Sequence, residues 1–285
     1  MISIKEVFMN IIKIGDITMG GQHPFVLFAG PCVIEDEALT REIAATLREM
    51  TRSLNIPLVF KASYDKANRT SLNSFRGPGI EAGLAILARI RSDLNLPIIT
   101  DVHRFEDIEA VSEICDVVQV PAFLCRQTDF VMEVARKAGV INIKKGQFLA
   151  PADVRHIIEK ASAAGNENII ITERGASFGY NNLVTDVRAF PIMRAFGYPV
   201  VFDGTHSVQL PASCGNASGG DREMVPYLCR AAVAAGVDGI FLETHPRPEQ
   251  ARCDGQNSVH LSSLPRLLAS LNKIDKITKG TMIYG

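Results

Sequence analysis

Four residues far apart in the chain carry side chains that one divalent ion could share: Cys32, His206, Glu243 and Asp254. A thiolate, an imidazole and two carboxylates suit zinc, iron, manganese or cobalt, whereas magnesium prefers oxygen donors alone. A single cysteine is more often a small buried apolar side chain, so the set carries more weight than any member. Cys115, Cys125, Cys214, Cys229 and Cys253 lack a comparable set of partners and read as structural. A second group is cationic: Lys61, Lys144, Lys145 and Arg174, then Lys66, Arg69 and Arg76 in one loop, and Arg126 further on. Arginine forks hold phosphate oxygens bidentately, and lysines act as point charges. Any one of these cations would pass as a surface ion pair. Together they point to substrates with more than one phosphate or carboxylate.

Most of these residues sit at the ends of short apolar runs, and Asp254 and the remaining cations follow in loops. The runs are Phe25–Gly30, Leu58–Ser63, Ile98–Val102, Val117–Pro121, Ile141–Gly146, Asn168–Gly175, Val200–His206 and Gly239–His245. Continuous β-branched runs of this length suit parallel strands buried on both faces. Between them the apolar spacing predicts helices, among them Ala38–Leu54, Gly79–Leu94, Phe105–Ile114 and Phe130–Ala138. Eight such alternations in 285 residues favour one (β/α)8 barrel, with an open doubly wound sheet as the alternative. Nothing resembling a linker divides residues 1–285, so one domain is expected. Ile11–Gly20, in the first 21 residues, reads as a hairpin placed to cap the barrel's bottom. In a barrel the polar run ends converge on one mouth, where barrel enzymes keep their chemistry. Runs one, seven and eight, which bear Cys32, His206 and Glu243, would then be neighbours.

Lys+Arg total 30 against 31 Asp+Glu, which argues against a nucleic-acid partner, since binding one needs a basic face. No apolar stretch approaches the roughly 20 residues of a membrane helix. The first fifteen residues mix Lys5 and Glu6 among apolar ones, so no export signal is expected. Six cysteines without framework spacing then imply reduced thiols in a cytoplasm.

Several stretches resemble the 3-deoxy-D-manno-octulosonate 8-phosphate synthase family. They are Phe60-Lys-Ala-Ser-Tyr-Asp-Lys-Ala-Asn-Arg-Thr-Ser71, Gln119-Val-Pro-Ala-Phe-Leu-Cys-Arg-Gln-Thr-Asp129, Asn142-Ile-Lys-Lys-Gly-Gln-Phe148, Phe202-Asp-Gly-Thr-His-Ser-Val-Gln209 and Glu243-Thr-His-Pro246. The resemblance runs from about Phe25 to Leu264. It implies a barrel enzyme, usually a homotetramer, that condenses phosphoenolpyruvate with D-arabinose 5-phosphate for the lipopolysaccharide inner core.

By that resemblance Lys61, Lys144 and Arg174 would hold phosphoenolpyruvate, helped near Ser63 and Ala122. Lys66, Asn68, Arg69 and Ser71 would hold the aldose phosphate, and Asp65, Asp101 and Gln119 would line the sugar. Arg126 would reach a neighbouring subunit's site. Lys61, Asp101, His206 and Asp254 would surround the reacting atoms. The family has metal-requiring and metal-free members. Cys32 and Lys144-Lys-Gly-Gln147 side with the former, whereas Cys253-Asp254-Gly255 resembles the latter. A related seven-carbon synthase, which takes erythrose 4-phosphate, typically shows Lys-Pro-Arg-Thr where this chain has Lys66-Ala-Asn-Arg-Thr70. A non-catalytic phosphosugar-binding barrel would keep Arg69 and Arg174 and lose the ion ligands.

Overall fold

The computed structural model describes residues 8–69, 71–214 and 217–281. Its barrel strands are β1 (Val26–Gly30), β2 (Leu58–Lys61), β3 (Ile98–Asp101), β4 (Val117–Val120), β5 (Ile141–Lys144), β6 (Ile169–Glu173), β7 (Val200–Asp203) and β8 (Gly239–His245). Each pairs in parallel with the next. β8 closes the ring, since Gly239 lies opposite both Val201 of β7 and Val26 of β1. The closed barrel, not the open sheet, is therefore the architecture. The helices are α1 (Glu37–Leu54), α2 (Ile80–Leu94), α3 (Phe105–Ile114), α4 (Thr128–Lys137), α5 (Val154–Ala163), α6 (Ala189–Arg194), α7 (Val225–Ala234) and α8 (Leu264–Thr281). Among the described residues no helix is long and apolar enough to cross a membrane.

Local chemistry sets the boundaries. Asp36 caps α1 by accepting from the Leu39 N–H (2.8 Å). Asn55 and Asn95 end α1 and α2 in the left-handed conformation, each followed by an X-Pro step into a strand. One helix-to-strand turn is thus used twice. The expected strands overrun at their far ends. β2 stops at Lys61 and β7 at Asp203, where the chain leaves the ladder to form the mouth loops. His206 therefore sits on a 3₁₀ turn, His206–Val208. Two antiparallel ribbons, Ala176–Ser177 with Leu183–Val184 and Gln209–Cys214 with Ala217–Gly220, were not expected.

Two apolar layers enclose the strands. The outer one packs the helices on the barrel. The inner one stacks Val26, Phe28, Val59, Ile99, Val117, Val140, Ile170, Val201 and Phe241 on Ile12, Ile14 and Met19. Those last three come from the hairpin Ile12–Ile14 with Ile17–Met19, which closes the bottom as expected. The hairpin seats closely because β8 begins with glycine. A Cβ on Gly239 would stand 3.0 Å from the Val26 carbonyl and 3.1 Å from Met19 Cε.

Candidate active site

Inward-facing positions recur every second residue along a strand. One step up from the inner apolar layer they become polar: Val59 is followed by Lys61, Ile99 by Asp101, Val117 by Gln119, Val201 by Asp203 and Phe241 by Glu243. All of these polar side chains but Asp203, which lies behind them, line a cavity of about 580 Å³ at the strands' C-terminal ends. A neutral chain, Thr172 to Asn142 (2.7 Å) to Gln119 (3.2 Å), reaches that lining.

One wall is cationic. Lys61 Nζ donates to Glu243 Oε1 (2.8 Å) and to the Cys32 carbonyl (2.9 Å). Gly30 permits this approach of β1 to β2, since a Cβ there would meet the Lys61 carbonyl at 1.9 Å. Lys144 Nζ lies 2.5 Å from Asp203 Oδ2 and 3.8 Å from the centroid of the Phe241 ring. Burial lowers Lys144 further than Asp203 raises it. Arg174, also pushed down by burial, donates to Gln209 Oε1 (2.7 Å). Lys66, Asn68 and Arg69 come in from the loop after β2.

The expected ion ligands lie directly against these cations. His206 Nε2 lies 3.6 Å from Glu243 Oε2 and 3.5 Å from Asp254 Oδ2. Cys32 Sγ lies 3.5 Å from the same Asp254 oxygen. Ligand atoms sharing one ion at about 2.1 Å keep separations of this size. Glu243 Oε2 is buried without a hydrogen-bond partner, an orphaned acceptor that an ion would satisfy. Burial opposes charge on Glu243, yet Lys61, His206 and Lys66 hold its carboxyl down at about 2. Asp254 is also held low against burial, chiefly by His206. Burial, Cys253 and Asp254 push the Cys32 thiol well up. A nearby divalent charge would reverse that. His206, Glu243 and Asp254 therefore fit a divalent ion, and Cys32 reaches that group through Asp254, which it shares with Cys253.

Asp203 organises both groups. Its Oδ2 accepts from Lys144 and from His206 Nδ1 (2.8 Å). The second contact turns Nε2 toward Glu243 and Asp254, as a carboxylate behind a ligating imidazole does. Burial would raise Asp203, but His206 and Lys144 hold it well below the usual range. His206 is raised, since Asp203 and Glu243 outweigh its burial.

Lys61, Lys66, Asn68, Arg69, Asp101, Gln119, Ala122, Lys144, Arg174, His206, Glu243 and Asp254 all line the cavity. Cys32 touches it through Asp254. Ser63 sits behind the wall, hydrogen-bonded to Asp101. Three expected residues lie outside the wall. Asp65 is held by Arg76 Nε (2.8 Å), Ser71 accepts from the Asn73 N–H (3.4 Å), and Arg126 borders a separate hollow with His156 and Lys160. Lys145 is no ligand-facing cation either, because Glu173 and the carbonyls of Gly146 and Leu149 occupy it. Sequence reasoning missed Asp203 and Gln209, although both lie in the Phe202–Gln209 stretch it singled out. It also set Cys253 aside as structural. That reading needs correction: the sulfur lies 2.9 Å from Cys32 Sγ and 2.6 Å from Arg69 Nη1 at the cavity wall. Cys115 and Cys229 are buried in the outer core, and the Cys214 side chain lies outside the described residues.

The model of the DAHP synthetase I family matches residues 2–280. The chain belongs to that family. It is 59% identical over 268 residues to the 2-dehydro-3-deoxyphosphooctonate aldolase of Geobacter metallireducens, covering 94% of this chain and 98% of the relative. The proteins of the same name from Geobacter sulfurreducens and Trichlorobacter lovleyi are 57% and 55% identical over the same shares. These relatives bear an aldolase name for the synthase family that the motifs resemble, and they make the chain an enzyme.

Proposed function

We propose that the chain condenses phosphoenolpyruvate with D-arabinose 5-phosphate and water, giving 3-deoxy-D-manno-octulosonate 8-phosphate and inorganic phosphate, in a cytoplasm. The observation that carries this reading is one cavity lined by several cations that come from two parts of the chain. Lys61, Lys144 and Arg174 reach it from the barrel strand ends, and Lys66, Asn68 and Arg69 reach it from the loop after β2. Two mutually repelling anions need fixed cations to meet in attack geometry. Carbon 3 of the enol bonds to the aldehyde carbon, whose oxygen takes a proton. Water adds at carbon 2, and phosphate departs as the carbon–oxygen bond breaks. Lys61 and Arg174 balance the carboxylate and phosphate charge throughout, and Asp101 and Gln119 orient the sugar hydroxyls.

Cys32, His206, Glu243 and Asp254 would hold a divalent ion, zinc, iron, manganese or cobalt, which when bound polarises or orients the aldehyde or the water. Chelation then removes activity, and manganese, iron or cobalt restores it better than magnesium. A homotetramer of one-domain barrels is the assembly we expect. Arg126, which is exposed and borders a separate hollow, would serve a neighbouring subunit's cavity. The deciding test measures phosphate release with arabinose 5-phosphate and erythrose 4-phosphate side by side. We expect the five-carbon sugar to be strongly preferred, and equal or reversed rates would sink the assignment.

A further inference from the structure

The cavity wall holds a pair of thiols that the proposed condensation does not use as a pair. Cys32 follows β1 and Cys253 follows β8, 221 residues apart in sequence, yet their sulfurs stand 2.9 Å from each other. Both are buried and both are free thiols. The sulfurs need to close by less than about 1 Å to reach disulfide bonding distance. Cys253 lines the cavity, where Arg69 Nη1 holds its sulfur at 2.6 Å, and Cys32 lies against Asp254. We propose that Cys32 and Cys253 form a peroxide-sensitive thiol pair, a reversible modification site built into the ion-binding wall.

The chemistry balances with hydrogen peroxide as oxidant. The Cys253 sulfur attacks one peroxide oxygen, the O–O bond breaks, and the departing hydroxide takes the thiol proton to leave as water. Cys253 is then a sulfenic acid. The Cys32 sulfur attacks that sulfur, the S–S bond forms, the S–O bond breaks, and a second water leaves with the Cys32 proton. Two thiols and one peroxide become one disulfide and two waters. A dithiol reverses the change by exchange. Short exposure favours the disulfide over deeper oxidation, because the resolving sulfur is already in contact.

Oxidation has two consequences in the cavity. Arg69 loses the thiol it holds, and Cys32 ceases to be available as an ion ligand. The second consequence rests on the ion-binding reading, whereas the thiol pair itself does not.

The test uses the full-length reduced protein, with and without added Zn2+. It is treated with hydrogen peroxide, alkylated, digested and analysed by mass spectrometry. We expect a cross-linked peptide joining Cys32 to Cys253, lighter by two hydrogens than the separate thiols. It should vanish with dithiothreitol and be absent from Cys253→Ser and Cys32→Ser. Recovery of both cysteines alkylated, or of each oxidised separately to the sulfinic acid, overturns the pair. Zn2+ titration of the oxidised protein separates the two readings. Affinity weakened at least about tenfold supports both. A cross-link with unchanged Zn2+ affinity keeps the pair and removes Cys32 from the ligand set.

Discussion

The two ends of this barrel are built on the same strands and do opposite work. At the bottom, Val59, Ile99, Val117, Val201 and Phe241 point inward and stack on the hairpin's Ile12, Ile14 and Met19. One inward step up each strand, Lys61, Asp101, Gln119, Asp203 and Glu243 point inward instead. That step is about 7 Å along a strand. The lower layer gains stability by removing apolar surface from water. The upper layer holds buried charges that are costly unless paired, and it satisfies them through Asp203–Lys144, Lys61–Glu243 and His206–Asp203. Incompletely satisfied atoms at this end, Glu243 Oε2 in the layer and Gln147 Oε1 in the loop after β5, mark where ligands are expected.

Removing a charge from the mouth should cost activity and little stability. Arg174 is the cleanest choice, since its hydrogen-bond partner is the neutral Gln209 and the carboxylates that feel its charge keep closer cations, Lys144 for Asp203 and Lys61 for Glu243. Arg174→Ala should lower kcat/KM about a thousandfold, near 4 kcal/mol, while thermal melting moves by only a few degrees. Separate isotherms should show phosphoenolpyruvate weakened more than the aldose phosphate, and Arg69→Ala should do the reverse. A melting loss as large as that of a bottom-layer variant would erase the division between the ends.

The converse change is Ile14→Ala. Ile14 is 1% exposed in the plug, so truncation should remove about 3 kcal/mol of stability through lost burial and a residual cavity. Denaturant melts measure this, and kcat/KM of the folded variant should match wild type. A parallel fall in kcat/KM below the unfolding temperature would show that the plug also shapes the mouth.

Acid should expose the same contrast. Glu243 titrates at about 2 in the fold against an ordinary 4.5. The stability it contributes is therefore full above 4.5 and is lost as pH falls toward 2. The shift is on the order of 2 kcal/mol once the cations it shares with other carboxylates are considered. Denaturant midpoints of Ile14→Ala should track wild type down this window, and those of Glu243→Gln should fall less steeply. Identical slopes for all three proteins would place the acid sensitivity elsewhere.

The smallest effect tests whether position at the mouth end is itself enough. Asp36 lies on the mouth side of β1, yet its task is to cap α1. Asp36→Ala should cost about 1 kcal/mol of stability and leave kcat/KM unchanged in steady-state assays.

The sequence by itself determined the strand and helix alternation, the polar character of the strand ends, and the helix α3 to the residue. Those features are local, set by periodicity, caps and composition. It also showed that Cys32, His206, Glu243 and Asp254 form a chemically coherent set, because ligand type is a property of each residue alone. Tertiary structure decided three further matters. Closure of β8 onto β1 and β7 was one, since strand count does not fix whether a sheet's edges meet. Which residues of a strand face inward was another: both faces of these strands are buried, so Phe60 and Lys61 belong to one run and only the barrel's curvature separates them. The last was the pairing of Asp203 with His206 and Lys144, and of Cys253 with Cys32 and Arg69. Asp203 and His206 are only three residues apart, but the other contacts join segments far apart in sequence, and no local preference of either partner encodes them.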